Sequence, residues 1–478
     1  MNNFKRINTI GGWLTFIVAL AVYILTLEPS VSLWDCGEFI SASYRLQVVH
    51  PPGAPLFLML GRIFTLFAEP GTNEVAIAVN MLSAVASAAT VMFTFWITTH
   101  FAKKILKLDL NTSNIELSSA IAILGSGLVA ALSVTFMDTF WFSAVEAEVY
   151  AASSCFMALA FWAILKWERV KDEPTSDRWI VFIAYVIGLG IGLHLLNLLV
   201  VPAIILYYFI NKFGASRSNI LKATAIGLGS IALLQWVVIP KTPEIAAFFD
   251  RIFVNSFGLP FNSGVLFFLL LIVLAIVFGL RYTIRKNKPM ANLVILCYAF
   301  IMLGFSSYSM VVIRSIAGPA INMNDPQDAQ SLLSYINREQ YGETPLLTGQ
   351  FFTAKLSDEK EGAMQYQKSE DKYEIVAGER RWRAAQLAKI HEVPVIILNI
   401  DDKKSLEFAI LENIQRSDLN GIEEALGYDN LVKKFGYSQE TLSKILGKSR
   451  SHIANTLRLA GLPEEIKKMI SDGLLTAG

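Results

Sequence analysis

Three groups of residues have the types and spacing to do chemistry. The first begins with Asp35 and Glu38, inside Trp34-Asp35-Cys36-Gly37-Glu38-Phe39, followed by His50-Pro51-Pro52-Gly53. Acids three apart on a short helix share one face. Glu146 and Glu148 follow, within the first two turns of an apolar run and on different faces, so at least one points away from any shared site. His194 and Asn197 lie where two apolar runs meet. A carboxylate in this group suits a general base that takes a proton from a hydroxyl, with neighbouring groups balancing charge. Asp35 and Glu38 also read as wet acids at a helix start, and His194 as a hydrogen-bonded packing histidine. The second group is Gly378, Glu379, Arg380 and Arg381, a turn opening a helix, which can cradle phosphate. The third is Ser449, Arg450, Ser451, His452 and Asn455, on one side of a helix.

The elements that must position these groups belong to two solvents. The chain has 478 residues, 54% hydrophobic and 17% charged, with mean hydropathy +0.47. A soluble protein carries about 25% charge, which excludes a wholly cytosolic globule. The charges are uneven. Glu359–Gly478 holds 18 Lys or Arg and 19 Asp or Glu in 120 residues, against 44 charged residues in the 358 before them. The net charge of +1 gives no overall pull toward nucleic acid or anionic lipid. Cys36, Cys155 and Cys297 are too scattered for a disulfide framework or a zinc site.

About nine runs in the oily part approach the ~20 residues needed to cross a bilayer. They are Ile10–Leu27, Val75–Thr99, Ser118–Phe136, Phe142–Leu165, Trp179–Leu193, Leu195–Ile210, Leu221–Ile239, Gly264–Leu280 and Ala291–Val312. Leu56–Phe67 is shorter and carries Arg62, so it reads as an interfacial helix, started by the turn at Pro51 and Pro52. With a cytoplasmic N-terminus, the basic clusters Lys5/Arg6, Lys103/Lys104/Lys107, Lys166/Arg169/Lys171/Arg178, Lys212/Arg217 and Arg281/Arg285/Lys286/Lys288 all face the cytoplasm. Four segments then lie outside: Glu28–Glu74, Met137–Trp141, the His194 break and Pro240–Ser263. The first apolar run reads as an uncleaved anchor.

The stretches Trp34–Phe39, His50–Gly53, Ala144–Tyr150, Gly192–His194 and Leu346–Gly349 resemble polyprenyl-phosphate-sugar-dependent GT-C glycosyltransferases, in particular the protein O-mannosyltransferase-like membrane proteins of Bacteroidota-type bacteria. The likeness covers roughly residues 1–373. It implies a GT-C-like fold in a bacterial inner membrane and inverting transfer of a hexose, mannose by the family's habit, from a polyprenyl-phosphate donor to Ser or Thr of an exported acceptor protein. It maps Asp35 to the catalytic base and Glu38, His50, Glu148 and His194 to the surrounding site, with no metal.

In the polar part, Lys372–Ala377 and Val393–Leu398 read as strands. Trp382–Ala388, Ser405–Ile414 and Glu423–Phe435 read as helices. Tyr437–Gly447 and Lys448–Arg458 read as a helix–turn–helix. Leu442, Ile445 and Leu446 face inward from its first helix, Ser449 caps the second, and Ile453 and Leu457 pack below. Ser449, Arg450, Ser451, His452 and Asn455 would face a major groove. Val376–Ala385, Glu412–Arg416, Leu419–Ala425 and this unit are similar to the ParB chromosome-partition proteins, over roughly residues 369–478. That likeness implies a CTP-switched DNA clamp. Gly378, Glu379, Arg380 and Arg381 would hold the triphosphate, Glu412 and Asn413 would sit at the nucleotide and Mg²⁺, and the helix from Ser449 would read DNA. The family's first strand and its dimerisation domain have no counterpart here, so the fragment reads as truncated.

The expected whole is an α-helical polytopic membrane protein over 1–325 and an exported linker over 326–368. A partial nucleotide-binding α/β segment over 369–400 and a helical, helix–turn–helix segment over 401–478 follow. Nine crossings would strand a DNA-binding tail outside the cell, away from DNA and CTP, so the sequence reads as a chimera joined near Lys368–Ile375. A ParB-type protein preceded by spurious membrane sequence, and a transporter or flippase, are the alternatives.

Overall fold

The computed structural model of the chain describes residues 3–342, 421–446, 448–462 and 467. It divides into two units, Met1–Tyr366 and Gln367–Gly478. The expected strands Lys372–Ala377 and Val393–Leu398, the helices Trp382–Ala388 and Ser405–Ile414, and the stretch Leu346–Gly349 lie outside the described residues.

The body is helical because its sequence offers long apolar runs with few breaks. Its helices are α1 (Phe4–Leu25), α2 (Cys36–Arg45), α3 (Pro55–Thr65), α4 (Glu74–Ile105), α5 (Leu117–Thr135), α6 (Asp138–Ala144), α7 (Val149–Val170) and α8 (Asp177–Ile191). There follow α9 (Val200–Phe213), α10 (Arg217–Leu233), α11 (Ile239–Phe257), α12 (Ser263–Arg285), α13 (Pro289–Phe305), α14 (Ser309–Ile316) and α15 (Ala329–Ile336). Among the described residues, 8 helical stretches are long and apolar enough to cross a membrane by length and composition. The 15-residue α8 falls short of that length, but it runs the same course as its neighbours. It leaves the end of α7 that holds Glu168 and delivers His194 to within 5.4 Å, ring to ring, of Tyr150 at the other end. The close contact of α8 with α13 rests on glycine: a Cβ on Gly188 would stand 2.4 Å from the carbonyl oxygen of Ile301, so the backbones touch where small residues allow it.

Hydrogen bonds fix which ends lie together. At one end, the Phe4 amide donates to Ser113 O at 3.0 Å and Trp96 Nε1 to Asn8 O at 3.1 Å. At the other, Asn80 Nδ2 donates to Glu28 O at 2.8 Å and the Glu28 amide to Val145 O at 3.1 Å. The tie between Tyr335 and Val49 brings α15 to this second end, the one that holds Asp35.

Two details differ from the sequence reading, and a third, the short length of α3, agrees with it. The run expected to stop at Ile239 continues as helix: α10, a π turn over Leu234–Val238 and α11 form one 41-residue stretch, Arg217–Phe257. Pro240 and Pro243 lack an N–H to give the helix, and a π turn is the usual local adjustment where the regular ladder is interrupted. Glu146 and Glu148 stand before α7, in the break after α6, and not in its first turns. The break is closed by a short-range bond from the Glu148 amide to Glu146 O at 2.8 Å. Finally, α3 has 11 residues, about 16 Å of helix, too short to span. Its Arg62 donates to Tyr44 O at 2.6 Å and lies over the Tyr44 ring, so the cation is met by protein.

In the second unit, the helices Gly421–Phe435, Gln439–Leu446 and Arg450–Ala460 enclose a small core of Tyr428, Leu431, Leu442 and Ile453. Leu446 and Leu457 pack against it. Ser449 caps the third helix, accepting from the His452 amide at 3.1 Å, as its position before an apolar-periodic run predicts.

Candidate active site

The turn after Trp34 makes the site. Trp34 has φ +66°, and the chain then enters α2 with Asp35 at the N-cap and Glu38 one turn in. Both carboxylates reach the same side, as their spacing predicts. The loop after α2 returns His50 to them. Glu38 Oε1 accepts from the His50 amide at 2.8 Å, and Glu38 Oε2 lies 2.6 Å from His50 Nδ1. His50 Nε2 lies 3.9 Å from Asp35 Oδ2. The Asp35 side chain is 57% exposed, Glu38 20% and His50 27%, so the one open carboxylate is Asp35. The bond to Glu38, against some cost of burial, raises the His50 pKa above the usual histidine value, which favours the imidazolium.

The loop carrying His50 is clamped by a distant part of the sequence. The Val48 amide donates to Ile321 O at 3.0 Å, and the Met323 amide to Val48 O at 3.1 Å. Arg314 caps the end of α2 through Leu46 O at 2.6 Å and Arg45 O at 3.1 Å. Tyr335 Oη donates to Val49 O at 2.6 Å. The Pro51–Pro52 peptide bond is cis. Gly53 has φ +78°, and a Cβ there would lie 2.5 Å from Tyr335 Oη, so only glycine fits this turn.

Behind Asp35 lies Glu148, buried at 9% exposure. Its Oε1 accepts from Cys36 Sγ at 3.7 Å. Burial, with the charges of Asp35 and Glu146, pushes its pKa up to about 7, so both protonation states are populated near neutrality. Burial pushes the Cys36 thiol up to about 12, which makes it a weak donor and no nucleophile.

His194 stands in the break between α8 and α9. Its Nδ1 accepts from the Leu196 amide at 3.1 Å, and burial, with the charge of Arg338, lowers its pKa. The neutral tautomer with its proton on Nε2 follows. Asn197 pins the break, donating to Ser153 Oγ at 2.9 Å and to the carbonyls of Gly190 and His194. Arg338, not singled out in the sequence, acts electrostatically on both His50 and His194. Only its distance in sequence hid it. The cluster therefore joins Asp35, Glu38, His50 and Glu148, with Tyr150, His194 and Arg338 at its edge. Asp35, Glu38 and His50 offer three ligand atoms within 4.8 Å of one another. Both Glu38 oxygens are engaged by His50, and Asp35 is the open member of the three.

In the second unit, Ser449, Arg450, Ser451, His452 and Asn455 are all exposed. Four have protein partners: Ser449 Oγ accepts from the His452 amide and lies 3.0 Å from Ser451 Oγ, His452 Nε2 lies 3.2 Å from Glu424 Oε1, and Asn455 Oδ1 accepts from Arg458. Burial would raise the Glu424 pKa, but the bonds from Tyr428 and His452 outweigh it and lower it. Gly378, Glu379, Arg380, Arg381, Glu412 and Asn413, the expected CTP and Mg²⁺ residues, lie outside the described residues.

Comparison with known proteins finds two families in succession. Residues 35–217 match the family model of the protein O-mannosyl-transferase TMEM260 N-terminal domain. Residues 363–414 match the ParB N-terminal domain, and residues 417–478 the ParB HTH domain. The probable chromosome-partitioning protein ParB of Rickettsia bellii is 55% identical over 109 residues, 23% of this chain and 38% of that protein. The ParB of Caulobacter vibrioides is 54% identical over 106 residues, 22% of this chain and 35% of that protein. The chain thus spans under two fifths of the length of these relatives. A crystal structure of C-terminally truncated Caulobacter crescentus ParB complexed to the centromeric parS site is 53% identical, covering 22% of this chain and 55% of that one, with TM-score 0.21. Unrelated family matches on consecutive stretches are consistent with a chimera.

Proposed function

We propose that the body is a multi-pass inner-membrane glycosyltransferase. It moves a hexose, mannose by its likeness, from a polyprenyl-phosphate carrier to a Ser or Thr hydroxyl of an exported protein. The observation that carries this reading is the open Asp35 carboxylate, set 3.9 Å from a histidine that Glu38 grips from behind. Asp35 takes the hydroxyl proton as the acceptor oxygen attacks the anomeric carbon. The bond from that carbon to the carrier phosphate breaks, and the phosphate leaves with the electron pair. Charged His50 and Arg338 oppose the negative charge that develops. Asp35→Asn in the full chain should lower transfer from a lipid-linked hexose to a Ser/Thr peptide by about 100-fold or more. Transfer at the parent rate would remove Asp35 from the role of base.

The order of helix ends supports nine crossings from a cytoplasmic N-terminus, with Asp35 outside. On that topology residue 342 also emerges outside, where neither DNA nor CTP is present. This supports reading residues 369–478 as a ParB-type DNA-binding piece, with CTP and Mg²⁺ as its cofactors, joined to a foreign membrane body. The exposed face of Arg450–Ala460 over its small core favours DNA as the tail's partner.

A further inference from the structure

The far end of the same bundle holds a cavity that the transfer chemistry does not use. Its volume is about 290 Å³, much more than the ~30 Å³ share of one water. Four cations line it, Lys5, Lys103, Lys166 and Arg169, between the indoles of Trp96 and Trp162. No Asp or Glu is among its lining residues. The one buried acid beside it, Glu168, is spent elsewhere: it accepts from Lys104 Nζ at 2.7 Å and Tyr207 Oη at 2.5 Å and lies 2.7 Å from His100 Nε2.

The cations are only partly satisfied. Lys103, 3% exposed, donates to Leu110 O at 3.1 Å and Thr112 O at 3.2 Å and stands 5.4 Å over the Phe4 ring, which leaves one N–H donor without an oxygen partner. Lys166 stands over the Trp162 ring at 4.8 Å. Arg169 lines the cavity; its Nε is buried without a hydrogen-bond partner and its Nη2 lies 3.4 Å from His100 Nδ1. An oxyanion is the partner that a guanidinium fork meets best. The cavity also sits at membrane-interface depth. Glu148 precedes α7 and Arg169 is its penultimate residue. At ~1.5 Å per residue they are about 30 Å apart along the helix, the thickness of the hydrocarbon layer.

We propose that this cavity binds a phosphate group, presented at the interface by an anionic lipid headgroup or by a free phosphate. Arg169 and Lys166 are the main contacts, Lys103 forms the buried wall, and Lys5 closes the exposed side. The two indoles sit beside the substituent of a lipid phosphate, as tryptophan does at membrane interfaces. The site is distinct from the Asp35 cluster and does not depend on the sugar-transfer reading.

The test uses the full chain in dodecyl maltoside. Its thermal midpoint is followed against rising dioctanoyl phosphatidic acid, inorganic phosphate or dioctanoylglycerol, since a ligand that binds only the folded state raises the midpoint. Phosphatidic acid should stabilise, with half-effect at a concentration about tenfold higher in Arg169→Gln and Lys166→Gln. Lys5→Gln, at an exposed position, gives a smaller loss with no cost to folding. Equal stabilisation by inorganic phosphate identifies a soluble ligand, and stabilisation only by phosphatidic acid identifies a lipid. The proposal is overturned if neither phosphate stabilises, if dioctanoylglycerol does as well, or if Lys5→Gln and Lys166→Gln respond as the parent does.

Discussion

Glu38 holds His50 at two points, its backbone amide at 2.8 Å and its ring Nδ1 at 2.6 Å. One carboxylate thereby fixes both where the loop runs and which way the imidazole faces. Nε2 is left to point at Asp35, the arrangement of a charge-balancing histidine beside a base.

This pair makes stability depend on pH. The His50 pKa is raised in the folded state, so the stabilisation is fully present below the unfolded value of about 6.5 and is lost as pH rises through the folded value. Glu38→Gln should flatten that decline. Thermal midpoints of the parent and Glu38→Gln from pH 5 to 9 check it. Parallel curves would mean the pair carries no proton linkage.

Glu148 has the same sign for a different cause. Its folded pKa is raised to about 7 by burial and by neighbouring acids, so the folded state is penalised as pH climbs from the unfolded value of about 4.3 through 7. Glu148→Gln mimics the protonated form. It should raise the thermal midpoint at pH 8 and leave it unchanged at pH 4. A uniform shift at both would point to packing instead of charge.

Gly53→Ala should destabilise the body by at least about 2 kcal/mol. A left-handed conformation costs an L-residue ~1–2 kcal/mol and forced overpacking ~1–3 kcal/mol, and the new Cβ would stand 2.5 Å from Tyr335 Oη. The measurement is denaturant or thermal unfolding in micelles. Sugar transfer should fall as well, since His50 is three residues away.

Two substitutions separate folding from recognition in the tail. Ser449→Ala removes a cap worth ~1 kcal/mol, so the His452 amide should exchange its hydrogen about fivefold faster. Arg450→Ala removes an exposed cation from the same helix. It should abolish salt-sensitive, sequence-specific DNA binding while leaving exchange at His452 unchanged. Specific binding retained by Arg450→Ala would exclude this face as the reader.

Much of the site was legible in residue order. Asp35 and Glu38 at a three-residue spacing had to share a face once α2 formed, and the apolar runs had to become helices in a medium without water. The cap at Ser449 and the buried Leu442 and Ile453 followed from local pattern in the same way. These are short-range consequences of periodicity and backbone satisfaction, and neighbouring residues suffice to state them.

What only the tertiary structure decided lies between distant residues. Tyr335 reaches Val49 across 286 positions, Arg338 acts on both histidines, and Glu168 on α7 draws His100 and Lys104 from α4 and Tyr207 from α9. Glu146 and Glu148 moved out of the helix that their apolar neighbours suggested, because the break before α7 binds its own backbone. Local pattern fixes which face a residue takes, but Coulomb and hydrogen-bond partners are chosen by how helices pack, and that choice is made in space and not along the chain.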